Sequence, residues 1–131
     1  MTARVLTVSR VVRAPQARCF DVFTDGVDGW WQRGPRFRRW RDSVVAFEGQ
    51  RLWERRGDEA ALVASVTAWD PPQRLVLDLD GERVEVAFVA DGQVTTVTVR
   101  HHRDDGLTNF QDAKGLWWSD LLVGLGRAVG R

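Results

Sequence analysis

Apolar and polar residues alternate with two different periods along this chain, and the switches between them outline the fold. Residues 4–13 (RVLTVSRVVR) alternate as a half-buried strand does. Ala14-Pro15 ends that run, and Pro15 suits the first turn of a helix. The next segment, to about Thr24, spaces Cys19, Phe20, Phe23 and Val27 as one helical face. Asp25-Gly26 breaks it, and a short helical turn carrying Trp30 and Trp31 follows. After the break at Gly34-Pro35 the period becomes two. Residues 42–48 and 51–56 read as a hairpin around Gly49, and 61–69 as a third run stopped by Asp70-Pro71-Pro72. Residues 74–79 put Leu75, Leu77 and Leu79 on one face, and 83–90 do the same with Val84, Val86, Phe88 and Ala90. Asp80-Gly81 and Asp91-Gly92 are tight-turn signals, and 93–103 completes the meander. A polar loop covers 104–111. From about Asp112 the pattern is helical to the end, with Ala113, Trp117, Leu121, Leu125 and Ala128 along one broad face. Such a helix of ~19 residues is ~28 Å long.

The order is one strand, two short helices, six strands and one long helix. Tight turns make the sheet antiparallel. Its strands are apolar on one side, which must be covered, and the final helix is the element long enough to cover it. The expected class is therefore α+β: a curved antiparallel sheet of about six or seven strands wrapped around a long C-terminal helix. The 131 residues suit one domain, 1–131, large enough to bury a core.

Composition narrows the functional classes. The net charge is +1, from 19 basic and 18 acidic residues, which argues against a domain built mainly to hold nucleic acid. The basic residues are almost all Arg, with Lys114 alone as lysine, and Ile and Tyr are absent. That bias matches a GC-rich bacterial genome. Cys19 is the single cysteine, so no intrachain disulfide forms. Residues 1–15 do not form a leader-like apolar run, and Leu121 to Leu125 is too short to span a bilayer. A soluble, cytoplasmic protein without membrane attachment is expected.

Four stretches carry a family resemblance. VVRAPQARCFDVFTDGVDGWW, FEGQRLWER, VTAWDPPQRLVLDL and VEVAFVADGQVTTVTVRH, followed by the closing helix, resemble in order and spacing the START/Bet v 1-like (SRPBCC) superfamily. Within it they look most like the bacterial branch named after the heat-shock protein 90 ATPase activator. The resemblance implies a helix-grip fold with an apolar cavity between sheet and last helix. It places the double-Trp turn near the cavity mouth and makes the last helix a cavity wall. It also implies three functional classes: binding of a small hydrophobic molecule, an enzyme such as a cyclase, dehydratase or hydrolase on a polyketide-like substrate, or a protein-interaction module. Binding is the reading carried forward.

The candidate ligand-binding residues are Trp30, Trp31, Phe37, Trp40, Phe88, Val97, Val99, His101, Trp117, Trp118 and Leu121. Seven Trp residues in 131 far exceed the roughly one or two expected for an average composition. Adjacent helical Trp residues point about 100° apart, so one of each pair should turn away from the core. Trp53 and Trp69 are read as core filling. Gly115, Gly124 and Gly126 leave room for a ligand or a close helix–sheet approach, or else Gly124 and Gly126 simply lie near a fraying end; both readings stand.

The run RGPRFRRWR, residues 33–41, interleaves five Arg with Phe37 and Trp40. Stacking on nucleic acid or holding an anionic ligand are the sharper readings. A solvated edge whose Arg stems cover apolar surface is the preferred one. His101 and His102 point to opposite faces of a strand and cannot chelate one metal. His101 looks inward as a hydrogen-bonded structural residue, and is the one candidate for a catalytic base. Cys19 reads as a buried inert thiol. Asp78, Asp80, Glu82 and Glu85 read as exposed. No cofactor, metal motif, phosphate loop or nucleophile elbow is expected. Self-association into a homodimer, through an edge strand or the apolar surplus, is the partner expectation besides a small hydrophobic molecule.

Overall fold

The computed structural model describes residues 4–103 and 110–130, and the side chains of 5–102 and 115–130. The elements follow the expected order. They are β1 (Arg4–Val12), α1 (Gln16–Thr24), α2 (Val27–Trp30), β2 (Val44–Glu48), β3 (Arg51–Arg56), β4 (Glu59–Asp70), β5 (Arg74–Leu79), β6 (Glu82–Asp91), β7 (Val94–Arg103) and α3 (Phe110–Val129). Most of the loop expected at 104–111 and the expected apolar contact of Ala113 lie outside the described residues. The helix itself starts at Phe110, two residues early. Gln111 and Asp112 carry no apolar period, so the pattern could not locate its first turn.

All seven strands form one antiparallel sheet in the order β1-β7-β6-β5-β4-β3-β2. The first two strands are thus its opposite edges, and α1, α2 and the segment after them carry the chain across the concave face. The Asp80-Gly81 turn has positive φ at both residues (54° and 83°), as a two-residue hairpin of this hand demands.

Cross-strand register fixes the inner face. Leu6, Val8, Arg10 and Val12 of β1 stand opposite His101, Val99, Val97 and Thr95, which pair onward with Val84, Val86, Phe88 and Ala90. Of that last set Ala90 is exposed, because it lies at the hairpin end of β6. Two bulges bend the sheet, one in β4 against β3 and one in β4 against β5. The second changes the phase of β4. Val66 pairs with Leu77, but Trp69, three residues on, pairs with Leu75. Residues three apart in a regular strand face opposite ways; here both face inward.

The helix α3 buries Trp118, Leu121, Leu122, Leu125 and Val129, while Trp117 and Ala128 are only half-buried. Its apolar stripe is therefore centred one position beyond the expected Trp117 line. Two of its glycines are places of close approach. A Cβ on Gly124 would stand 2.6 Å from the Trp30 carbonyl oxygen, and one on Gly126 would stand 2.8 Å from Arg10 Nε. This favours close packing over a ligand space or a fraying end at these two positions. Gly115 is different, because its Cβ would meet Leu6 Cδ1 at an ordinary 3.7 Å.

Gly124→Ala should therefore destabilise the protein by about 1–3 kcal/mol, since a backbone carbonyl must move. Gly115→Ala should be neutral or stabilising by up to about 1 kcal/mol through helix propensity. Denaturant unfolding of the two variants checks the contrast.

Candidate functional site

The aromatic residues form one continuous train across the concave face. Phe47 meets Trp69 at 5.8 Å between centroids, Trp69 meets Phe20 at 5.4 Å, and Phe20 meets Phe88 at 5.2 Å. Phe88 meets Phe23 at 5.5 Å, and Phe23 meets Trp30 at 4.7 Å. Trp30 leads to Trp31 at 5.5 Å, Trp31 to Trp117 at 5.7 Å, and Trp117 to both Phe37 and Trp118. Most pairs are edge-to-face or tilted, the geometry the ring quadrupoles favour.

Of the sequence candidates, Trp30, Trp31, Phe88, Trp118 and Leu121 are buried together in this core, with Val97 and Val99 on the sheet beneath. Phe37 and Trp117 are half-buried at its border. Trp40 is apart from the train, with the Arg39 guanidinium 5.5 Å from its ring. The expectation that one Trp of each pair turns away fails at Trp30 and Trp31, which are both buried. The helix ends at Trp30, and Trp31 is extended (φ −66°, ψ 109°), so its ring turns back to the same side. Each of these indoles also has an acceptor: Trp30 Nε1 donates to Phe23 O at 3.1 Å and Trp31 Nε1 to Phe37 O at 3.0 Å. Trp117 Nε1 donates to Arg36 O at 2.7 Å.

His101 is fully buried. Trp118 Nε1 donates to its Nδ1 at 3.0 Å, and its Nε2 lies 2.8 Å from Glu82 Oε1. The indole N–H needs a lone pair on Nδ1, which leaves the proton of the neutral ring on Nε2, donated to Glu82. Both ring nitrogens therefore serve protein contacts, as a structural histidine's do. Glu82 is not the exposed residue expected, because the inward histidine draws it in. Glu85 is likewise half-buried, held by Arg74 at 3.0 Å with Arg83 and Arg100 at 3.8 Å. Cys19 is buried as expected. Burial pushes its thiol up, against the lowering influence of Thr95 and Arg18, so a ready thiolate is absent.

The 33–41 segment departs most from expectation. Arg38 is buried rather than solvated, 4% exposed. Its Nη1 donates to Asp28 Oδ1 and Ser43 O, both at 2.8 Å, and its Nη2 donates to Asp28 O and Trp31 O. Its Nε is shared between Trp31 O and Gln32 O at 3.2 and 3.3 Å. All five guanidinium protons are used. Beside it Glu54, also buried and on the inner face of β3, accepts the N–H groups of Arg39 and Trp40 at 2.9 Å and the Ser43 hydroxyl at 2.6 Å. Sequence reading missed both residues; the only signal was a Glu at an inward position of a strand.

Burial pushes the Asp28 carboxyl up, but the Val45 N–H and the Arg38 contacts outweigh it and hold it below the usual range. Glu54 follows the same pattern, with Ser43, Trp40 and Arg39 outweighing burial.

The clefts lie at the ends of this packed region. One, of about 340 Å³, is lined by Asp25, Phe47, Glu48, Gly49, Gln50, Val66 and Trp69. Trp69 was expected to fill core, but it is 45% exposed: the bulge turns it inward beside Phe47, where Phe20 of α1 covers only part of its ring. Trp53, also expected in the core, faces outward with the Arg55 guanidinium 5.3 Å from its ring. A second cleft, of about 610 Å³, is lined by Arg33, Gly34, Pro35, Arg38, Arg39 and Arg41. A third lies between α2 and Gly124 and Arg127 of α3. Among the described residues no three His, Cys, Asp or Glu side chains are grouped to hold a metal. No helix among them is long and apolar enough to cross a membrane.

The architecture is a helix-grip α+β fold, and solved structures with the same fold are numerous. The Aha1 dimer from Colwellia psychrerythraea superposes with a TM-score of 0.72 at 15% identity, over 96% of each chain. DynU16, from the dynemicin biosynthetic locus, gives 0.68 at 18% identity over 96% of this chain, which spans 47% of DynU16. CalU16 from Micromonospora echinospora gives 0.66 at 17% identity, over 97% of this chain and 76% of that one. At these identities the likeness is one of fold, consistent with the START/Bet v 1-like resemblance. No protein-family model and no curated protein matches the sequence.

Replacing Arg38 by Met should cost about 3–5 kcal/mol, because Asp28 and several carbonyls lose their buried partner. Asp28 and Glu54 have lowered folded-state values, so their contribution is complete above the unfolded carboxyl value of about 4 and is lost as pH falls below it. Unfolding midpoints measured through that range should drop, and less steeply in Glu54→Gln.

Proposed function

We propose that the protein binds a small, largely apolar molecule on the concave face, entering at the cleft of Phe47, Val66 and Trp69. The observation that carries this reading is Trp69. A large aromatic side chain stands 45% exposed on the face that elsewhere is packed, at the head of a continuous aromatic train. Its indole Nε1 has no acceptor among the described residues and is free to meet a polar group of the ligand. A cleft of about 340 Å³ falls within the range of small-molecule sites. Asp25, Glu48 and Gln50 at the rim would orient the polar end of such a molecule. Phe20 and then Phe88 stand behind Trp69, while the other sequence candidates lie farther along the concave face and do not line this cleft. Binding is favoured over catalysis because His101 and Glu54 are both committed to protein hydrogen bonds. A homodimer is a second, separate expectation, since one neighbour is a dimer and β1 and β2 are open edges; light scattering tests it.

Titration with a neutral naphthylamine dye should give saturable quenching of tryptophan fluorescence. Trp69→Ala and Phe47→Ala should each weaken binding about tenfold or more, the loss of one buried aromatic contact. Trp53→Ala, on the outer face, should leave it unchanged. Binding that ignores the first two substitutions would show that the ligand does not enter here.

A further inference from the structure

The arginine cleft at the far end of the concave face is a second site, chemically unlike the first. We propose that it binds a phosphate or diphosphate group carried on a small molecule. Four arginines line its volume of about 610 Å³, with Gly34 and Pro35 between them and no carboxylate in the lining.

The nearby acids are already committed. Asp28 takes Arg38 at 2.8 Å and Arg33 at 3.6 Å and accepts the Val45 N–H. Glu54 is filled by two backbone N–H groups and Ser43. Asp120 pairs with Arg36 at 2.9 Å, and Asp42, although next to Arg41 in the chain, pairs with Arg56 at 3.6 Å. Among the described residues no carboxylate lies within ion-pairing reach of Arg39 or Arg41. Two guanidinium groups thus keep their charge uncompensated at one cleft, in a chain whose total charge is only +1.

The cleft is also preformed. Arg38 forms its floor, with all five guanidinium protons engaged in the hydrogen bonds already described. Glu54 clamps the backbone of Arg39 and Trp40, and the Trp40 ring supports the Arg39 guanidinium at 5.5 Å. Arg33 is steered by its Nη1 bond to Ser43 O at 3.0 Å. A binding group that loses little freedom on capture holds an anion more tightly than mobile surface charges do. Guanidinium forks match the oxygens of phosphate in geometry as well as charge. The small size of the cleft and the balanced charge of the whole chain favour a compact ligand over a nucleic acid strand.

The test is calorimetric titration of the full chain with inorganic pyrophosphate at low and high salt. A saturable one-to-one heat that weakens with salt is expected. Arg39→Ala/Arg41→Ala should weaken it about tenfold or more, Arg41→Gln by a smaller factor, and Arg13→Ala, an exposed arginine elsewhere, should not change it. Unchanged thermal melting and unchanged binding of the neutral dye would show that the variants are folded and that the two sites are separate. No saturable heat, or an equal loss in Arg13→Ala, would overturn the proposal. So would binding of a single-stranded oligonucleotide without binding of pyrophosphate.

Discussion

A charged group cannot be taken out of water unless its hydrogen-bonding capacity is met, and at Arg38 that constraint organises one end of the molecule. The chain must travel from α2 to the edge strand β2 without regular structure of its own. Thirteen positions of loop would ordinarily be mobile. Here the guanidinium gathers the carbonyls of Asp28, Trp31, Gln32 and Ser43 around one centre, so the start and the end of the crossing are tied together. Glu54 does the same from the sheet, binding the middle of the crossing through main-chain N–H groups. The result is a loop positioned by two oppositely charged side chains that do not pair with each other directly. Everything that depends on its shape follows, including the Trp31 acceptor at Phe37 and the arginine cleft outside.

The packed centre has a different logic. Large aromatic rings fill the space between sheet and helix, and each indole there meets an acceptor. Gly124 lets α3 approach the Trp30 backbone more closely than any side chain would permit, and Gly126 leaves room for the Arg10 side chain. The consequence is a rigid interior whose polar groups are already used. His101 illustrates this, since the indole of Trp118 and the carboxylate of Glu82 fix its tautomer between them.

Much of the fold was legible because period-two and period-3.6 patterns are written by burial itself. The turns at Gly49 and Asp80-Gly81 and the one-sided strands β5 and β6 needed no tertiary knowledge. The bulges were not legible. A bulge at Thr67 leaves no mark in an alternating string, yet it decides that Val66 and Trp69 share a face. Trp69 therefore read as core filling when it lines a cleft. Arg38 was illegible for a related reason: five arginines in nine residues look alike until the acceptors around one of them are assembled from α2, the loop and the start of β2. The family resemblance supplied the helix-grip arrangement and a place to look for a ligand. It had no means of separating residues that fill the interior from residues at its rim.

That separation bears on what this fold can do. A side chain available for binding or chemistry must have capacity that the protein has not consumed. In the described interior that capacity is consumed almost everywhere, by ring stacking, by indole donors, and by the hydrogen bonds of His101 and the buried Glu54. It survives at two places on the border of the concave face. At one, an aromatic ring and its N–H stand open beside Phe47. At the other, Arg39 and Arg41 stand open beside a loop that Arg38 and Glu54 hold in place. An apolar surface with a polar rim and a charged cleft some distance away could grip a molecule with an apolar body and an anionic group separately or at once. The first arrangement needs only the bulge in β4, the second only the buried guanidinium, and neither needs a catalytic group.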